Sequence, residues 1–297
     1  MVTEMTDALK ENNSRYWAES WQKVSAQRAK DRGPMQAGFW NGMARRFGED
    51  RPAEQEDGKV KSILDLLGTT GLDLEGAEVL DIGAGTGALS LPLARRGAKV
   101  TALDFSPEML KKLKKRAAEE HVVISDTLLA SWDTIDLDAV GFRNRFDLVI
   151  ASMTPAVRDP ETFDKMLDAS RGAGYYSGWI HREWDPAFHD LYRILFNEPF
   201  REESLGFYLP FMYLYMKGYR PEVRIRQDVW KNKEHIDELI ERISGFFSLT
   251  KVIDDEMKGR MREYLLTRAR DGIYPATTVA TTGMMVWNKN AGNGESR

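Results

Sequence analysis

The stretch Val79-Leu80-Asp81-Ile82-Gly83-Ala84-Gly85-Thr86-Gly87-Ala88-Leu89-Ser90 decides the fold. An apolar, β-capable run reaches an acidic residue and then three glycines at alternate positions. Leu89, Leu91, Leu93 and Ala94 follow as an amphipathic segment. The pattern is that of a buried parallel strand, a tight glycine-rich turn and the first turns of a helix. Glycines serve where the backbone takes positive φ or where a ligand lies against bare main chain. The N–H groups that open the following helix point back at the turn, towards a polar or anionic ligand group.

Two ligand classes use this geometry. Gly83-x-Gly85-x-x-Ala88 satisfies the dinucleotide pattern and keeps a nicotinamide-dependent oxidoreductase open as an alternative. Asp81 weighs against it, because a carboxylate at the strand end repels a pyrophosphate and attracts an ammonium group. The string Asp81-x-Gly83-x-Gly85-x-Gly87 resembles motif I of the class I S-adenosylmethionine (SAM) methyltransferases. That resemblance implies an α/β, Rossmann-like, doubly wound fold with a mostly parallel seven-stranded sheet. It also implies SAM as cofactor, its methionine end held by Asp81, Gly83, Ala84, Gly85, Thr86 and Gly87.

Lys99 to Leu103 reads as the second strand, ending in Asp104-Phe105-Ser106-Pro107-Glu108-Met109-Leu110. Asp104 lies about twenty residues past the glycines, the spacing at which a carboxylate accepts ribose hydroxyls. Ser106 followed by Pro107 is a helix start. This run again resembles the methyltransferases, which implies that Asp104, Phe105, Ser106 and Met109 line the adenosine. Two placements of the third strand stay open, His121 to Asp126 or a run beginning at Thr127. By the same resemblance Ser131 and Trp132 bracket the adenine, with Trp132 either stacked on the purine or used for packing.

Arg145 to Ser152 is a continuous apolar run suited to a strand buried on both faces. It resembles the family's fourth strand, whose end, here Ser152, lies beside the methyl group. Met153-Thr154-Pro155-Ala156-Val157 departs from the polar-Pro-Pro-aromatic motif of some N-methyltransferases, so no catalytic role carries over. Thr154 is a candidate substrate contact because ligands sit at the strands' carboxyl ends. A helix over 159–170 leads to a fifth strand, Tyr175 to Ile180. His181 beyond it is a candidate general base or substrate ligand. Together with Asp185 and His189 it matches no strong metal pattern, and no metal is expected.

The remaining bounds are broad. Residues 1–75 read as a helical cover carrying Trp17, Trp21, Phe39, Trp40 and Phe47. Residues 76–297 read as the methyltransferase domain, with a cap insertion at about 186–220 and a helical insertion at about 231–272, placed from helical spacing. Glu222 to Gln227 and Thr277 to Trp287 read as strands six and seven. At 297 residues with a net charge of −4 and no long basic block, nucleic acid is a disfavoured partner. With no cysteine there is no disulfide or thiolate chemistry. No membrane span is expected, and the cytoplasm is the default location. The expected activity is methyl transfer to a small-molecule acceptor. A non-catalytic SAM-binding protein is a further alternative, permitted by the departure after strand four.

Overall fold

The computed structural model describes residues 2–32, 37–44, 53–200, 206–248 and 250–289. Three helices come first: α1 (Val2–Arg32), α2 (Ala37–Ala44) and α3 (Ala53–Gly68). Then follow β1 (Glu78–Ile82), α4 (Ser90–Ala94), β2 (Lys99–Asp104), α5 (Pro107–Glu119), β3 (Asp126–Leu129), β4 (Phe146–Ser152), α6 (Pro160–Ala169) and β5 (Ser170–Glu183). The chain continues through α7 (Pro186–Phe196), α8 (Tyr208–Met216), β6 (Glu222–His235), α9 (Ile236–Phe247), α10 (Asp255–Leu266) and β7 (Ile273–Asn288).

The strands form one sheet in the order β3-β2-β1-β4-β5-β7-β6. All are parallel except β7, which runs antiparallel to both β5 and β6. Every strand but β6 therefore sits between neighbours or carries short edges, and β1 and β4 are buried almost throughout. Alternate residues pack on opposite faces, as the pleat requires. One face carries Val79, Val100, Ile150, Tyr175 and Met284 against α3 and α4. The other carries Leu80, Val149, Tyr176, Met285 and Trp287 with Phe163 of α6 and Leu214 of α8.

The aromatic residues of α1 hold it on the second face. Trp21 is buried, with ring centroids 5.6 Å from Phe163 and 5.8 Å from Tyr213. Trp17 meets Tyr208 edge-on at 5.4 Å. These two tryptophans therefore anchor the helix. α2 lies instead against α5, where Lys112 Nζ donates to the Ala44 carbonyl at 3.1 Å. Phe47 lies outside the described residues.

Several elements run longer than their apolar cores predict. The third strand is Asp126–Leu129, so the run beginning at Thr127 is the better placement. β5, β6 and β7 extend well past the carboxyl edge, with β6 reaching His235 and β7 starting at Ile273. The protruding arm carries the cap. In it α7, α9 and α10 share one apolar cluster around Phe188, Ile240, Phe247 and Met261. The two insertions thus meet in one unit, while α8 turns away from it to pack on α1 and α6. Asp185, buried at the start of α7, ties the cap to the arm. Its carboxylate accepts from Ala187 N at 2.9 Å, Tyr274 Oη at 2.7 Å and Thr277 N at 2.7 Å.

Candidate active site

The three glycines of the turn after β1 are there for three different physical reasons. Gly83 has φ +67°, and the Thr154 side chain fills the space a Cβ would take. At Gly87 a Cβ would press on Leu113 at 3.0 Å and Leu91 at 3.2 Å, so this glycine lets α5 and α4 close on the turn. Gly85, at φ +56°, has nothing within 4 Å of that position. Its bare backbone forms an open cradle of the kind a ligand lies against.

Two buried carboxyls flank this cradle from adjacent strands. Asp81 is 3% exposed and accepts a hydrogen bond from Ser90 Oγ at 2.6 Å. Burial pushes its carboxyl up to about 7, partly offset by the Ser90 hydroxyl and reinforced by the nearby Asp104. Asp104 Oδ2 accepts from Gly85 N at 2.9 Å, and its Oδ1 accepts from Ser106 N at 2.8 Å. Burial also raises Asp104, against these backbone donors. Leu103 O adds bonds from Gly83 N at 2.8 Å and Ala84 N at 3.0 Å, and Arg116 holds the Thr86 carbonyl at 3.1 Å. The turn is thus pinned to β2 and α5 before any ligand arrives.

Ser106 caps α5, accepting from Met109 N at 3.2 Å, and donates to Asn41 Oδ1 at 2.7 Å. Its hydroxyl is engaged by α5 and α2 and the Met109 side chain is buried, whereas Phe105 is half-buried. Ser131 donates to the Asp133 carboxylate, which Arg158 also holds. Trp132 lies inside the core. It is 1% exposed, packs with Ile135, Leu137 and Phe146, and donates its indole N–H to Thr162 O at 3.0 Å. Of the two roles open to this ring, its burial favours packing.

Beyond β1 the same sheet face carries a hydroxyl cluster. Ser152 Oγ and Ser177 Oγ, on neighbouring strands, lie 3.2 Å apart. Met153, at φ +51°, donates its N–H to Ser177 Oγ at 3.2 Å. The fully buried Tyr175 hydroxyl lies by this pair without a hydrogen bond of normal geometry. Burial raises it to about 12, moderated by Ser177 and Ser152. Asp104, Asp81, Ser152 and Ser177 therefore form one polar row across β2, β1, β4 and β5. His181 leaves this row. An irregularity between Trp179 and His181 sets the histidine opposite Thr281, on the other face of the arm.

Ser90, Asn41, Ser177 and Tyr175 were not singled out from sequence. Ser90 closes the quoted motif, so its position was visible although its partner was not. Asn41 meets Ser106 across 65 positions, which no local pattern encodes.

Residues 79–174 match the family model described as "Methyltransferase domain". The chain is 43% identical over 74 residues to a ubiquinone biosynthesis O-methyltransferase of Xanthomonas oryzae pv. oryzae, covering 23% of this chain and 31% of that protein. It is 33% identical over 115 residues to a Mycobacterium tuberculosis protein described as uncharacterized, covering 38% and 39%. The chain spans about a third of the length of the curated relatives it matches. Among solved structures, the SAH-bound magnesium protoporphyrin IX methyltransferase of Synechocystis is 15% identical, with 91% of this chain and 99% of that chain covered and a TM-score of 0.46. The match with the methyltransferase-domain family runs from β1 to the start of β5, inside a sheet whose one antiparallel strand is β7.

Proposed function

We propose that the protein is a SAM-dependent methyltransferase acting on a small-molecule acceptor seated between the carboxyl edge and the cap. The observation that carries this reading is the open flank of Gly85 between two buried carboxyls, Asp81 and Asp104. Asp81 is raised because it is buried away from water, and an ammonium group nearby would restore its ionised form. The methionine amino group fits that demand, and a dinucleotide pyrophosphate does not. The residues present therefore fit SAM, with the turn 83–87 along the methionine end and Asp104 at the ribose.

Bound SAM supplies an electrophilic methyl group on a sulfonium. The chemistry it would supply is an in-line displacement at that methyl by an acceptor lone pair, with the turn 83–87 and Asp104 holding the donor. Such an in-line displacement depends mainly on positioning and exclusion of water. Ser152 ends β4 and Ser177 faces it from the middle of β5, and both are suited to orient the acceptor atom by hydrogen bonding. An oxygen acceptor is the first class to screen, because the Xanthomonas relative is by name an O-methyltransferase.

Calorimetric titration with SAM, S-adenosylhomocysteine and NAD in parallel tests the cofactor. Micromolar binding of the first two without NAD is expected, and binding of NAD alone would hand the site to the oxidoreductase reading. Methyl transfer from labelled SAM to a panel of hydroxylated aromatic compounds then tests the acceptor class. No turnover across oxygen, nitrogen and carbon acceptors by a SAM-binding protein would favour the non-catalytic alternative.

A further inference from the structure

β6 is the outermost strand of the sheet, paired along all fourteen of its residues to β7 on one side. Its other side ends the sheet among the described residues. A long, regular edge is a template for another strand, and proteins usually blunt it with bulges, prolines or charges. β6 has no proline and no register shift against β7. Its outward apolar residues Val223, Ile225 and Val229 are 38%, 64% and 47% exposed.

The order of residues along β6 is self-complementary about Gln227. With two copies of the strand laid antiparallel across a two-fold axis at Gln227, each residue meets the one whose number sums with its own to twice 227. Ile225 then faces the partner's Val229, and Val229 the partner's Ile225. On the opposite sheet face Arg226 meets the partner's Asp228, and Arg224 meets the partner's Trp230. Ile225 and Val229 thus pair as apolar groups and Arg226 and Asp228 as unlike charges, the arrangement that stabilises antiparallel cross-strand pairs, while Val223 meets the partner's Lys231 at the periphery. Moving the axis by one residue either way, a register shift of two, would place Arg226 against its own copy or Asp228 against its own, so the charges also select the register.

The neighbouring structure extends the apolar side. Ile225 is in register with Gly283, over which the Phe207 ring lies. Phe207 stacks with Phe211 at 6.1 Å, and Phe211 packs on Tyr215, which is 41% exposed. The exposed side chains of β6 are therefore the rim of a band that continues onto α8. Within one chain Arg226 Nε already reaches Asp228 Oδ1 at 2.8 Å. Two such pairs brought together alternate in sign around a closed ring of four.

We propose that the β6 edge is the interface of a two-fold homodimer, in which two copies of this chain join their sheets through antiparallel β6 strands centred on Gln227. The occupant is a second copy because the complementarity is of the strand with itself in reverse.

The absence of cysteine makes the register directly testable. Gln227→Cys places one thiol per chain on the axis, where facing Cα atoms lie about 4.5–5.5 Å apart and can be bridged. Lys231→Cys places the thiols about 27 Å apart, eight residue steps along paired strands. Mild oxidation should convert the first variant to a disulfide-linked dimer and leave the second as monomeric chains on a denaturing gel. In parallel, light scattering of the full chain should give the mass of two copies at micromolar concentration. The double substitution Ile225→Lys and Val229→Lys should weaken the dimer about tenfold or more, with a circular dichroism spectrum and SAM affinity like the parent's. Arg226→Asp alone should weaken it, and adding Asp228→Arg should restore it. A monomer at all concentrations, or a dimer indifferent to residues 225–229, would overturn the proposal. So would crosslinking at 231 in preference to 227.

Discussion

The Thr154 side chain occupies the space into which a Cβ on Gly83 would project. Two segments far apart in sequence, the turn after β1 and the loop after β4, are therefore closed on each other through a missing side chain. Gly83→Ala should cost about 2–4 kcal/mol of stability, of which about 1–2 reflects the left-handed backbone at φ +67° and the rest the clash. Adding Thr154→Gly should recover the clash but not the backbone cost. Urea unfolding of both single variants and the double variant separates these parts as a coupling energy. Strict additivity would show that the two residues do not touch in solution.

The buried carboxyl of Asp81 sets a pH dependence whose sign can be worked out. Its folded-state value is about 7, above the ordinary carboxylate value of 3.8. Between those values the folded protein holds a proton that the unfolded chain has lost, so stability of the ligand-free protein falls as pH rises from about 4 to about 7. Asp81→Asn should remove that slope and leave the ligand-free protein more stable at pH 8. An ammonium ligand reverses the preference by favouring the ionised form. SAM binding should therefore tighten as pH rises to about 7 and release a proton at pH 6. Calorimetry at pH 6 in two buffers of different ionisation enthalpy measures that proton, and equal heats in both would contradict the assignment.

Asp104 joins two turns as well as facing the cradle. Asp104→Ala should weaken SAM binding by about 1–3 kcal/mol through loss of the ribose acceptor. It also strands the N–H groups of Gly85 and Ser106, which the carboxylate holds at 2.9 and 2.8 Å. Thermal stability should fall with affinity, and Asp104→Asn, which keeps one acceptor oxygen, should lie between. Unchanged SAM affinity in a folded Asp104→Ala protein would mean that the ribose sits elsewhere.

What the sequence made legible follows the range of the interactions involved. The turn around Gly83, Gly85 and Gly87 and the Ser106-Pro107 helix start are local, and their residues announce themselves by spacing. The order of the sheet followed from resemblance in strands whose apolar runs are continuous, above all Arg145 to Ser152. β3 was ambiguous because its residues are only half-buried or exposed and carry no strong pattern. The ends of β5, β6 and β7 were cut short because their protruding halves alternate polar and aromatic groups, and the cap covering them comes from α7, α9 and α10. Long-range choices were invisible in kind. Nothing near Trp132 tells whether its ring meets a purine or the underside of α6.

The cap should detach more readily than the sheet unfolds. Asp185 collects three donors from two elements, and Asp185→Ala leaves the Tyr274 hydroxyl and the Thr277 N–H without that acceptor. Leaving such buried donors unsatisfied costs about 1–3 kcal/mol. Because α7, α9 and α10 share their own apolar cluster, that loss should fall mainly on them. Hydrogen exchange should show α7 and α9 opening faster, with β1 and β4 unchanged and SAM affinity within twofold of the parent. Uniform acceleration across the sheet would mean that cap and sheet unfold as one unit.

Trp132 offers the sharpest separation of packing from ligand contact. Its indole N–H bonds to the Thr162 carbonyl, and its rings lie among Ile135, Leu137 and Phe146. Trp132→Phe removes the donor, leaves a buried carbonyl less satisfied and opens a small cavity, at a cost of about 2–4 kcal/mol. If the residue serves the core alone, SAM and S-adenosylhomocysteine should bind the variant as tightly as the parent while its urea midpoint falls. A tenfold loss of affinity with the midpoint unmoved would instead place the indole against the adenine. The residue following β3 would then rearrange when the cofactor binds, and the enclosed ring would be the resting arrangement.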